Sequence, residues 1–253
     1  VTEASAGNKQ ISLYGPPSGS PAGGKVIIKG GVSVTDTGNG VSGFRIDDGV
    51  TITGNVSYDN SKNTVGGNTV QIYSNSNAYG VTSIGGALSL SLSQSPYQIN
   101  NVTIQGVGSA LAVTGAVNIV GAAATDRISL ANAWFKGAVT VNTGSSPSMA
   151  ADVITIDGSR FDSATAVTMT GPYAQLALGT NAAFAATYFT STFAASLTGA
   201  SGLVLISNAS ATSAAEVVFY STAAFTGGTP AATMVIQGKY FAYSGKFTKS
   251  KFA

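Results

Sequence analysis

The chain has 253 residues, of which only 9% are charged, and a net charge of +2. It holds neither cysteine nor histidine, which excludes disulfide staples, thiolate metal sites, cysteine nucleophiles and any Ser-His-Asp triad. Before the last 15 residues its Lys and Arg are too scattered to displace counterions from a polyanion, so nucleic acid is not an expected partner.

Residues 1–24 read as an N-terminal arm. Gln10-Ile11-Ser12-Leu13-Tyr14 alternates as a short strand does, and Gly15-Pro16-Pro17-Ser18-Gly19-Ser20-Pro21 then forbids a helix or an internal strand. Val1 follows no charged-then-apolar leader, which reads as a mature, exported chain with its signal segment already removed. No stretch approaches the ~18 consecutive apolar residues of a membrane span.

From residue 25 to 238 the pattern is β. Apolar and small polar residues alternate in Val32-Ser33-Val34, Leu88-Ser89-Leu90-Ser91-Leu92 and Val139-Thr140-Val141, with Gly and Asn as punctuation. Only Asn181 to Ala186 has the composition of a short helix. A Val-Thr pair or near equivalent recurs at Val50, Val81, Val113, Val139, Val167, Leu197 and Phe225, with gaps of 26 to 32 residues. A second segment keeps step with it: Val70-Gln71-Ile72, Val102-Thr103-Ile104, Ile128-Ser129-Leu130 and Ile154-Thr155-Ile156. Such a period marks units that stack on their neighbours. The expectation is an all-β, right-handed parallel β-helix of about seven coils. An antiparallel β-sandwich would explain the strand content but leaves the unit-to-unit match without a cause.

The motif Val-Thr-x-x-Gly, as in Val50-Thr51-Ile52-Thr53-Gly54, and segments such as Asn101-Val102-Thr103-Ile104 resemble secreted bacterial β-helix proteins of the pectin-lyase-like and autotransporter-passenger type. The resemblance is architectural, covers roughly residues 26–236, and implies no particular activity. What it implies for chemistry is a carbohydrate-active alternative. Enzymes of that type use several carboxylates, often with calcium, and an Arg or Lys, and Asp152, Asp157, Arg160 and Asp162 would be the residues to supply them here.

Aligned on their inner strand, the units place Asn68, Asn100, Asp126 and Asp152 in one column, each four residues before Ile72, Ile104, Leu130 and Ile156. Stacked asparagines form amide ladders. Two successive carboxylates would repel, so Asp126 and Asp152 mark the one place where a calcium ion is considered; no other cofactor is expected. Phe135 aligns over Phe161. Tyr58, Tyr73 and Tyr79 are candidates for an exposed sugar-stacking platform, the alternative being a glycan-binding adhesin.

Residues 239–253 differ from everything before them. Lys239, Lys246, Lys249 and Lys251 come with no acid, and Tyr240, Phe241, Tyr243, Phe247 and Phe252 are dense. Phe241, Tyr243, Gly245 and Phe247 are expected on one face of a strand that either caps the coil or is donated to a neighbour. Tyr240, Phe241, Tyr243, Lys246, Phe247, Lys249, Lys251 and Phe252, together with Ile11, Leu13 and Tyr14, are the expected assembly contacts. The functional expectation is a non-enzymatic, extracellular structural protein: a self-assembling subunit of a filament, fibre or cell-surface coat, whose partner is a copy of itself.

Overall fold

The computed structural model describes residues 1–3, 7–15, 25–74, 80–106, 111–145, 150–181, 183–199, 201–207, 217–229, 231–236 and 241–252. Among these residues all regular structure is strand, arranged in three parallel sheets of ten, nine and nine strands. Successive strands of the chain pass to the three sheets in rotation, so each sheet receives every third strand. The result is a right-handed parallel β-helix of about eight turns, the hand that parallel crossovers adopt when right-twisted strands feed them. The first sheet runs from Thr2–Glu3 to Phe247–Ser250, the second from Lys9–Leu13 to Thr233–Ile236, and the third from Val26–Ile28 to Phe241–Tyr243.

The extra turn comes from the chain ends. Within the segment expected as an arm, Thr2–Glu3 pairs with the strand Val32–Asp36, and Lys9–Leu13 pairs with Ser42–Ile46. At the other end Phe241–Tyr243 pairs with Val217–Phe219, and Phe247–Ser250 with Ala223–Thr226. Asn181 makes a turn, its carbonyl accepting the Phe184 N–H at 3.2 Å, and no helix occurs among the described residues.

The interior consists of columns, one side chain per rung. In the second sheet Leu13, Ile46, Ile72, Ile104, Leu130, Ile156, Leu178, Ile206 and Ile236 stand in register. The four inner segments of the sequence repeat fall in this column as expected. The third sheet begins aliphatic, with Ile28, Ile52, Ile84 and Val113, and turns aromatic at Phe135, Phe161, Phe189 and Phe219. The phenyl rings lie 5.0, 4.8 and 4.9 Å apart and within 20° of parallel. That spacing is set by the ~4.8 Å separation of paired strands.

The Val-Thr recurrence has a less uniform basis. Val50 and Val113 belong to the third sheet, whereas Val139, Val167 and Phe225 belong to the first, and Val81 lies between strands. The period is that of the coil, but the pairs are not one column. The glycine of Val-Thr-x-x-Gly marks the corner between the third and first sheets. Gly54, Gly86 and Gly115 stack there, Gly86 N–H donating to Gly54 O and Gly115 N–H to Gly86 O at 3.1 Å each. A Cβ on Gly86 would come within 2.5 Å of the Gly54 carbonyl carbon, so the backbones approach too closely for any side chain.

Candidate functional site: the open ends and the polar corner

Among the described residues, the two ends of the coil are the unpaired edges of its three sheets. At the N-terminal end Ile11, Leu13, Val26, Ile28 and Val32 are only partly buried against the core, and Ile27 is 55% exposed. At the C-terminal end Met234, Ile236, Phe247 and Phe252 are in the same condition, and Tyr243 is 56% exposed. Apart from Ile27, which points outward between Val26 and Ile28, these residues occupy inward positions, and among the described residues no rung lies beyond them. Tyr14 is exposed, with the Arg45 guanidinium 5.7 Å from its ring centre. Tyr240 lies outside the described residues.

The C-terminal segment is one rung rather than one strand. Phe241–Tyr243 lies in the third sheet and Phe247–Ser250 in the first, with a bend at Ser244 and Gly245 between them. The expected single face of Phe241, Tyr243, Gly245 and Phe247 is therefore divided over two sheets. Phe247 still packs inward, its ring 5.3 Å from Phe225. Lys246, Lys249 and Lys251 are exposed. Lys249 stands in register with Phe225, at the head of a column that runs through Leu90, Ile119, Val141, Val167 and Ala195. A lysine at an otherwise inward position discourages indiscriminate pairing at a sheet edge.

A polar column fills the corner between the first and second sheets. Ser42, Asn68, Asn100 and Asp126 are in register, and the Asp126 N–H donates to Asp152 Oδ1 at 2.9 Å. Asn68 N–H likewise donates to Asn100 Oδ1 at 3.0 Å, and Asn100 Nδ2 donates to Asp126 Oδ1 at 2.8 Å. Thr143 Oγ1 donates to Asp152 Oδ2 at 3.1 Å. At its foot Asp36 takes Lys9, Ser42 and the Gly38 N–H. Burial alone would push Asp36 up, yet these hydrogen bonds and the Lys9 charge outweigh it and hold the carboxyl below its usual range.

Asp126 has the opposite balance. Burial, offset by the Asn100 hydrogen bond and reinforced by the Asp152 charge, pushes it up to about 8. Burial also raises Asp152, against the hydrogen bonds from the Asp126 N–H and Thr143. Gly121 makes room for the pair, since a Cβ there would lie 1.7 Å from Asp126 Oδ2. Three of the four carboxylate oxygens are engaged within the protein, and only Asp126 Oδ2 lacks a partner. A calcium ion takes six to eight oxygens. The donors here do not meet that need, and among the described residues no group of three or more acidic side chains is placed to hold a metal.

The four residues of the carbohydrate-active alternative have separate partners. Asp152 is buried in the polar column, and Asp157 caps the backbone N–H groups of Thr180 and Asn181 at 2.7 and 3.0 Å. Arg160 and Asp162 pair with each other on the outer face of the third sheet, Nε to Oδ1 at 2.7 Å. Tyr58, expected as a sugar platform, is instead fully buried, its hydroxyl accepting Asn68 Nδ2 at 3.2 Å. Val56 points inward, so period two turns Tyr58 inward as well. Tyr73 is half-buried beside Arg45, and Tyr79 lies outside the described residues.

Sequence reasoning missed an outer strip of Trp134, Arg160 and Tyr188, in register on the third sheet. Its signal was available: each of the three immediately precedes a core phenylalanine, in Trp134-Phe135, Arg160-Phe161 and Tyr188-Phe189. Comparison with protein-family models, curated proteins and solved structures finds no match.

Proposed function

We propose that the chain is an extracellular structural protein whose copies join head to tail, continuing the three sheets from one molecule into the next. The observation that carries this reading is the register at the two ends. Extending the columns across a seam sets Ile236 over Leu13, Met234 over Ile11, Tyr243 over Ile28 and Phe241 over Val26. Every one of these matches is apolar on apolar. The first sheet has ten strands against nine in each of the others, so at such a seam Phe247–Ser250 of one molecule and Thr2–Glu3 of the next fall on the same rung, and the two-residue strand Thr2–Glu3 must yield its place.

Strand addition of this kind draws its affinity from main-chain hydrogen bonds and its specificity from alternate side chains. A head-to-tail contact that does not close on itself gives a filament. The scarcity of charge along the coil, together with its abundant Ser, Thr, Gly and Asn, suits an exported subunit at the cell surface.

The test is sedimentation velocity on the wild type and on a Ser12→Pro, Ile27→Pro variant. Val26 N–H already donates to Gly49 O at 3.1 Å and Lys9 N–H to Val41 O at 2.9 Å. Strand alternation then turns the Ser12 and Ile27 N–H groups away from the coil, where proline is tolerated. The wild type is expected to form concentration-dependent oligomers that the variant does not. Oligomers of unchanged size in the variant would rule out the edges as the joint.

A further inference from the structure

We propose that the outer face of the third sheet around Trp134, Arg160, Tyr188 and Tyr220 is a binding site for a glycan that carries an oxyanion. Two outward columns, two residues apart along the strands, build it. Trp134, Arg160 and Tyr188 form one. Lys136, Asp162, Thr190 and Tyr220 form the other, since Asp162, Thr190 and Tyr220 donate their N–H groups to Phe135, Phe161 and Phe189 in turn.

The aromatic rings are held before any ligand arrives. Asp162 accepts Trp134 Nε1–H at 2.6 Å through one oxygen and Arg160 Nε–H at 2.7 Å through the other. The Lys136 ammonium sits 4.3 Å from the Trp134 ring centre, and the Arg160 guanidinium 5.4 Å from it. Tyr188 and Tyr220 are stacked with centroids 6.3 Å apart, and Tyr220 is 52% exposed. Arg160, Tyr188, Thr190 and Tyr220 line an open depression of about 390 Å³.

Each part of this arrangement selects a feature of the ligand. Two cations against the single carboxylate of Asp162 leave a local excess of positive charge, which favours an anion. Asp162 takes only the Nε–H of Arg160, and the remaining guanidinium donors suit the paired oxygens of a carboxylate or sulfate. Tyr188 and Tyr220 offer flat apolar faces with polar edges, which match the apolar face and hydroxyl rim of a pyranose. Thr190 adds a hydroxyl at the floor. Tyr220 stands two rungs from Arg160, about 10 Å at the strand spacing, so the ligand spans more than one sugar. Folding does not require this set of side chains: they lie outside the core, and outward positions of the first sheet on the same turns are filled by the small residues Thr140, Ala166, Ala194 and Ala224.

Trp134 is the only tryptophan in the chain, so its fluorescence reports this place alone. The experiment titrates the full chain, kept monomeric in dilute solution as checked by sedimentation, with three tetrasaccharides: a sulfated κ-carrageenan fragment, tetragalacturonate and neutral maltotetraose. A saturable change in Trp134 emission is expected with at least one anionic probe, and weaker binding of the neutral one. Arg160→Gln should weaken the anionic probe about tenfold, the loss of one charged hydrogen bond. Tyr220→Ala should weaken it about fivefold through lost stacking, while Thr140→Ala on the first sheet should change nothing. No response to either anionic probe, equal affinity for maltotetraose, or indifference to both Arg160→Gln and Tyr220→Ala would overturn the proposal. Because the monomer is titrated, the result is independent of whether copies join at their ends.

Discussion

Asp126 is the residue that most directly links the fold to solution conditions. Its carboxyl is buried among Asn100, Asp152 and Gly121 and pushed up to about 8, whereas an unfolded aspartate titrates near ~3.9. The folded chain therefore keeps a proton that the unfolded chain releases. Its contribution to stability is complete below the unfolded value and is lost as pH rises through the folded one. Asp152 and Asp157 are raised in the same direction by burial, while Asp36 is lowered and opposes them only in acid. Thermal melting is expected to show a more stable protein at pH 5 than at pH 8, with a slope of at most about 1.4 kcal/mol per pH unit from each such group. Asp126→Asn keeps an acceptor for Asn100 and should flatten that slope; an unchanged slope would mean that Asp126 is ionised in the fold. Chelator treatment, by contrast, should leave the melting temperature where it was, because the corner supplies too few free oxygens for calcium. This corner was legible in the sequence through its constant offset of four residues before an inner aliphatic residue. Its charge state was not, since that depends on the burial and Thr143 contact that only the closed coil creates.

At the level of elements, the strands are short and hold one another by stacking. The phenylalanine run Phe135, Phe161, Phe189 and Phe219 is the largest side-chain mass on the third sheet, and each ring is confined between its neighbours above and below. Phe161→Ala is expected to cost about 3–5 kcal/mol, read by denaturant unfolding. Gly86→Ala sits at the corner where a Cβ would meet Asn55 Oδ1 at 2.3 Å and the Gly54 backbone within 2.5 Å. It should destabilise by about 1–3 kcal/mol, whereas a change at the open Gly7 should not. The period and the inner segments were readable because a parallel coil repeats its core positions. The sheet to which each Val-Thr pair belongs was not legible, since Val and Thr suit any half-buried strand and the corner lengths vary between turns. The division of the C-terminal segment at Gly245 escaped notice for a related reason. Alternation continues across a corner, and only the close approach to Ser221, 2.4 Å from a built Cβ, reveals the bend.

For the whole molecule, the decisive feature is that a column of rungs has two ends and the described residues cover neither. The apolar matches across a head-to-tail seam favour joining, and the lysines oppose it. Lys25 and Lys29 are exposed at one end, and Lys246 and Lys249 at the other. Joining should therefore strengthen as salt screens these charges. Lys249→Val, which restores an apolar head to the column of Phe225, should promote joining at low salt; light scattering measures it. The seam was only partly legible beforehand, because the sequence marks both termini as unusual without revealing that each supplies a full rung.

Electron microscopy of the concentrated protein, at low salt and again at about 0.5 M, tests this most directly. The expected result is unbranched filaments at the higher salt, with an axial repeat of about 43 Å for nine rungs. Single particles one coil long under every condition, in the wild type and in Lys249→Val alike, would contradict it.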